Sequence, residues 1–133
     1  MTQPPAAPTV WIVDDDLGFV WWLGEIFSEA GCRPVPALSC ADAVNLSKRL
    51  SVGVDVLVLN PELPGVAVML RAFRRWRSNF KVVAIDEPSD VISVAIHPHA
   101  YLKRPSSSDP ISRADWVNHI RKLLKEVAAA AAV

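Results

Sequence analysis

Net charge is absent: Lys plus Arg and Asp plus Glu number 14 each in the 133 residues. That balance gives no electrostatic reason to bind nucleic acid or an anionic membrane. Cysteine is scarce. Cys32 and Cys40 form no C-x-x-C pair and no metal spacing with the histidines. They read as reduced thiols of an intracellular, cytoplasmic protein, able to pair only if the geometry allows. Glycine is also thin, and no Gly-rich phosphate loop, Ser-His-Asp order or haem motif occurs. The start, MTQPPAAPTV, lacks the basic and apolar regions of a signal peptide and reads as a flexible lead. The apolar end, EVAAAAAV, is far too short to span a bilayer and extends the last helix. No internal repeat is visible.

What is present is an apolar chain, 51% hydrophobic, long enough for one domain with a real core. TVWIVD (9–14) reads as a strand, followed by an amphipathic helix over 17–30. RPVPA (33–37) is a short strand weakened by two prolines. Ser39 with Asp42 resembles a capping box and opens a helix to about residue 50. VDVLVLN (54–60) is the clearest strand, and its unbroken apolar run predicts burial on both faces, as in a parallel sheet. A helix over 66–77 carries Val66, Met69, Leu70, Phe73 and Trp76 at helical spacing. FKVVAID (80–86) and AYLKR (100–104) are further strands; residues 88–96 are ambiguous. A last helix carries Trp116, Ile120, Leu123, Leu124 and Val127 on one face. Five β-α repeats predict a parallel sheet with helices on both faces. Ligands of such sheets bind beyond the carboxyl ends of the strands.

Those ends carry Asp14, Asp15 and Asp16, then Asn60, then Asp86 with Glu87, then Arg104. Converging acids suggest a site for a hard divalent cation or a cation-lined phosphate pocket. One of the three consecutive acids is expected only to cap the first helix.

VWIVDDD, DVLVLNPELPG, VVAID and AYLKRP together resemble the receiver domain of two-component response regulators, over roughly residues 10–127. The resemblance implies a flavodoxin-like, CheY-like three-layer α/β sandwich. Its five-stranded parallel sheet would have order 2-1-3-4-5, with a shortened fourth helix before the fifth strand. It places Asp14 and Asp15 at the Mg²⁺-binding positions, Asn60 at the phosphoaccepting Asp, Asp86 at the switch Ser or Thr, and Arg104 at the Lys. These last three depart from the pattern. An amide is not a nucleophile, so Asn60 cannot form an acyl phosphate. Arginine is not a neutral exchange for lysine. The acid lost at Asn60 is regained at Asp86, which predicts an ion pair of Arg104 with Asp86 or with Asp14 and Asp15.

The expectation is a pseudo-receiver, 9–128 between a lead (1–8) and a tail (129–133), acting by protein–protein interaction in bacterial signalling and not as an enzyme. No DNA-binding or enzymatic output module is expected after Val133, so output is expected to pass through a partner. The resemblance makes that partner a histidine kinase or phosphotransfer protein, with a homodimer as an alternative; no nucleic acid or membrane is expected. No cofactor is expected either, although Asp14 and Asp15 leave room for residual Mg²⁺. The alternatives are phosphotransfer through Asp86 or Asp55, and a small-molecule sensor using the strand-end pocket. On the first helix, Phe19, Trp22, Leu23, Ile26 and Phe27 form the expected core stripe, leaving Val20 and Trp21 as a partner surface. Arg71, Arg74 and Arg75 read as a solvated face, and His97 and His99 alone make no metal site.

Overall fold

A computed structural model describes residues 7–50, 52–76, 79–86, 97–104 and 112–131. The elements are β1 (Thr9–Val13), α1 (Leu17–Glu29), β2 (Arg33–Ala37), α2 (Cys40–Arg49), β3 (Val56–Leu59), α3 (Val66–Trp76), β4 (Lys81–Ile85), β5 (Ala100–Leu102) and α4 (Arg113–Ala131). All strand pairs are parallel, in the order β2-β1-β3-β4-β5. This is the flavodoxin-like sandwich with the expected strand order. The expected shortened helix falls on 87–96, outside the described residues.

Alternation along the strands explains the two layers. Val10 and Ile12 of β1 point to one face and Trp11 and Val13 to the other. The first face is covered by α1 and α4, the second by α2 and α3. Every residue of β1 and β3 is buried, which is why these strands read as unbroken apolar runs. Burying a Leu, Ile or Phe of these layers contributes about 1.5–3 kcal/mol each. Cys32 belongs to one layer and Cys40 to the other, so the sheet separates the two free thiols.

Local chemistry sets the helix starts. Asp16 is the cap of α1: its Oδ1 accepts from the Phe19 amide at 3.1 Å. Ser39 caps α2, its Oγ accepting from the Asp42 amide at 3.0 Å. Before α3 the chain turns at Gly65, whose φ of +85° suits a residue without Cβ.

The packing of α1 corrects one expectation. Val20 is not on a free surface; it is 2% exposed and lies in the core with Phe19, Leu23, Ile26 and Phe27. Trp22 instead sits half-buried at the seam with α4, edge-on to Trp116 at 5.2 Å. The helix is apolar nearly all round, so periodicity alone could not fix its rotation. The small Val20 packs beneath the helix, whereas the larger indole of Trp22 lies against Phe19 and Trp116. Trp21 is 68% exposed.

The prolines of β2 also have a positional meaning. β2 is an edge strand. The Arg33 amide donates to Pro8 and the Ala37 carbonyl accepts from Asp14, both towards β1. Backbone direction alternates along a strand, so residues 34 and 36 face the open edge. There Pro34 and Pro36 remove the two N–H donors that another strand would need.

Candidate functional site

β1, β3, β4 and β5 end side by side, which brings Asp14, Asn60, Asp86 and Arg104 together. Asp14 is the centre. It is fully buried, and its Oδ1 accepts from the Asp15 amide at 2.8 Å and from Asn60 Nδ2 at 3.1 Å. Its Oδ2 has no hydrogen bond of good geometry; its compensation is the charge of Arg104 Nη2 at 2.7 Å. A buried carboxylate without such a partner would be costly.

Asn60 is used at both ends of its amide. The Nδ2 donates to Asp14, and the Oδ1 accepts from the Glu62 amide at 3.0 Å, shaping the turn after β3. A carboxylate could do only the second and would set a like charge against Asp14.

Arg104 follows β5 and reaches across the strand ends. Its guanidinium meets Asp14 at 2.7 Å, Asp86 at 3.5 Å and Asp16 at 3.9 Å. Its carbon Cζ lies 4.5 Å from the centre of the Phe19 ring, a cation–π contact. Asp86 holds the other end of this arm. Its Oδ1 accepts from the Arg104 amide at 2.9 Å, and its own amide donates to Leu102. Its φ of +62° places it in the left-handed region, where Asp is among the few tolerated side chains. Asp15 is exposed.

Residues that bind a cation must present free oxygens. Here Asp14 has Oδ1 in two hydrogen bonds and Oδ2 against a guanidinium, and the Asn60 oxygen is in the turn. Asp14 and Asn60, so arranged, do not fit Mg²⁺, and the exposed Asp15 alone offers too few oxygens for a hard ion. Among the described residues no group of three or more His, Cys, Asp or Glu is placed to hold a metal.

Other candidates lie elsewhere. Asp55 is at the opposite end of β3, its Oδ2 accepting from the Thr9 amide at 2.8 Å. His99 precedes β5 and accepts from the Val82 amide at its Nδ1, and His97 is exposed. Arg71, Arg74 and Arg75 border a shallow hollow on α3 and are exposed. Missed altogether was a clasp between α1 and α4. Arg113 donates to Glu25 at 3.0 Å and pairs with Glu29. Exposed charges far apart in sequence carry no local signal. No helix among the described residues is long and apolar enough to cross a membrane.

No protein-family model matches the chain, and no curated protein matches its sequence. Solved structures do. Chemotaxis protein CheY4 of Vibrio cholerae superposes with TM-score 0.69 at 17% identity, over 92% of this chain and 99% of that one. The signal receiver domain of an HD-domain-containing protein from Pseudomonas fluorescens gives 0.67 at 14%, over 98% and 96%. Response regulator TrrA from Thermotoga maritima, in complex with Mg²⁺ and beryllofluoride, gives 0.60 at 22%, over 87% and 98%. The chain therefore has the CheY-like fold of response-regulator receiver domains.

Proposed function

We propose that this chain is a receiver-like domain that takes no phosphate and acts by binding protein, in signalling of the two-component type. The observation that carries this reading is Asn60. The residue at the end of β3 is an amide, and both its ends are committed to hydrogen bonds. Acyl phosphate formation needs a carboxylate there. Arg104 supports the reading, because its fixed cation stands against Asp14 where a metal would otherwise have to bind. The domain is then not an enzyme. Its partner is a protein, a histidine kinase or phosphotransfer protein being the kind the fold favours.

Neither alternative acid helps phosphotransfer. Asp55 is at the wrong end of the sheet, and the Asp86 carboxylate is engaged by Arg104. A ligand in the strand-end pocket would have to displace the same guanidinium.

Acetyl phosphate, or beryllofluoride with Mg²⁺, is the direct test. Intact mass and Trp fluorescence should both stay unchanged. A phospho-adduct, or a saturable beryllofluoride response, overturns the reading.

A further inference from the structure

A mainly apolar groove of about 780 Å³ runs along the free edge of the sheet, remote from Asn60. Trp21 and Gly24 of α1 form one wall, Asp42 and Arg49 of α2 the other, and Pro34 and Pro36 of β2 the floor. A β-strand cannot add to this edge, since the two prolines remove its outward donors. Whatever fills the groove must do so with side chains.

The same surface carries a knob. Trp21 is 68% exposed and Leu17, one turn earlier, 62%. One turn later Gly24 leaves a slot: a Cβ there would approach Pro34 no closer than 3.9 Å. Knob and slot on one patch are what a twofold contact requires, because each copy must supply both halves. Charge agrees. Asp42 and Arg49 lie seven residues apart on α2, about 10 Å along its axis. Among the described residues neither enters an ion pair. Antiparallel approach sets Asp42 of each copy against Arg49 of the other. The chain's net charge of zero leaves no long-range repulsion between copies.

We infer that a second copy of this chain docks in the groove, with Trp21 of each protomer inserted over Pro34 and Pro36 of the other. This goes beyond the reading above and needs nothing from the strand-end pocket. It stands or falls whether or not the protein takes phosphate.

Sedimentation of the full chain from about 1 to 200 μM, the range that brackets a weak dimer, tests it. The wild type should show a concentration-dependent dimer. Trp21→Ala should weaken it about thirtyfold or more, the size of an interface hot spot. Gly24→Leu, which keeps the knob and fills the slot, should weaken it too. Asp42→Arg should weaken it, and the double variant Asp42→Arg, Arg49→Asp should restore it. Trp21→Ala should keep the wild-type unfolding midpoint, so that its loss of association is not a loss of fold. A wild type monomeric at the highest concentration overturns the inference, even if an apolar dye or another protein then binds in the groove. So does a dimer indifferent to both Trp21→Ala and the charge swap.

Discussion

Two regions of this molecule have been treated in opposite ways. At the strand ends, Asp14, Asn60, Asp86 and Arg104 spend their polar atoms on one another. At the sheet edge, the groove of α1, β2 and α2 leaves a Trp and a Leu exposed and a slot open among the described residues. A site whose donors and acceptors are consumed internally contributes to the fold and has little left for a ligand. An apolar surface left wet costs free energy and marks where binding recovers it. The place where this fold usually carries its chemistry is here the closed one. Both regions share α1: Phe19 supports Arg104, and Trp21 borders the groove.

Arg104→Ala should break the closed region most. It leaves Asp14 buried with its Oδ2 uncompensated. Loss of one partner of a buried pair costs about 3–5 kcal/mol, and Arg104 is 30% exposed, so about 2–4 kcal/mol is expected by urea unfolding. The variant should also bind Mg²⁺ by calorimetry where the wild type does not, because Asp14 is released beside the exposed Asp15. Tight Mg²⁺ binding by the wild type would show that the pocket is open after all. Trp21→Ala gives the mirror image: association falls and stability holds.

Asn60→Asp ranks next. It sets two carboxylates about 3 Å apart, and such pairs do not both ionise freely. A loss of about 1–2 kcal/mol at pH 7 is expected. The new acid has a raised pKa, so the deficit should shrink as the pH falls and one carboxyl takes a proton. The variant should not gain a full beryllofluoride response, since Asp86 and Arg104 remain. A variant more stable than wild type would mean that the amide is not matched to Asp14.

Much of the closed region was legible in the chain itself. Asp14, Asn60 and Asp86 directly follow strands that read as strands and Arg104 lies two residues beyond one, so the βα order alone places them at the functional end. The chemistry of Asn60 needed only its residue type. Three things were not legible. The rotation of α1 was hidden because Phe19 to Phe27 is apolar on several faces, and only the seam with Trp116 shows why Val20 goes in. The meaning of Pro34 and Pro36 was hidden because a proline weakens a strand or protects an edge depending on the strand's neighbours. The clasp of Arg113 was hidden because its partners lie on α1, 84 and 88 residues away.

That clasp supplies the smallest effect and the sharpest control. Arg113 with Glu25 and Glu29 repeats the chemistry of Arg104 with its acids, but in the open: the side chains are 44–46% exposed. If burial is what separates a consumed site from a surface, the two arginines should answer salt and pH differently. The hydrogen bond from Arg113 holds the Glu29 carboxyl below its usual value, against an opposing effect of desolvation. A depressed carboxyl contributes stability that is fully present above its unfolded value and is lost as the pH falls through the folded one. The difference between wild type and Arg113→Ala should therefore be constant from neutral pH down to the ordinary carboxylate range. It should vanish on further acidification. About 1 M salt, with a Debye length near 3 Å, should also shrink it. The deficit of Arg104→Ala should survive that salt, because Asp14 is out of contact with water. Equal salt sensitivity of the two deficits, measured side by side by urea unfolding, would mean that Arg104 is only another surface ion pair. The strand-end pocket would then be open to ligands, and the contrast with the groove would fail.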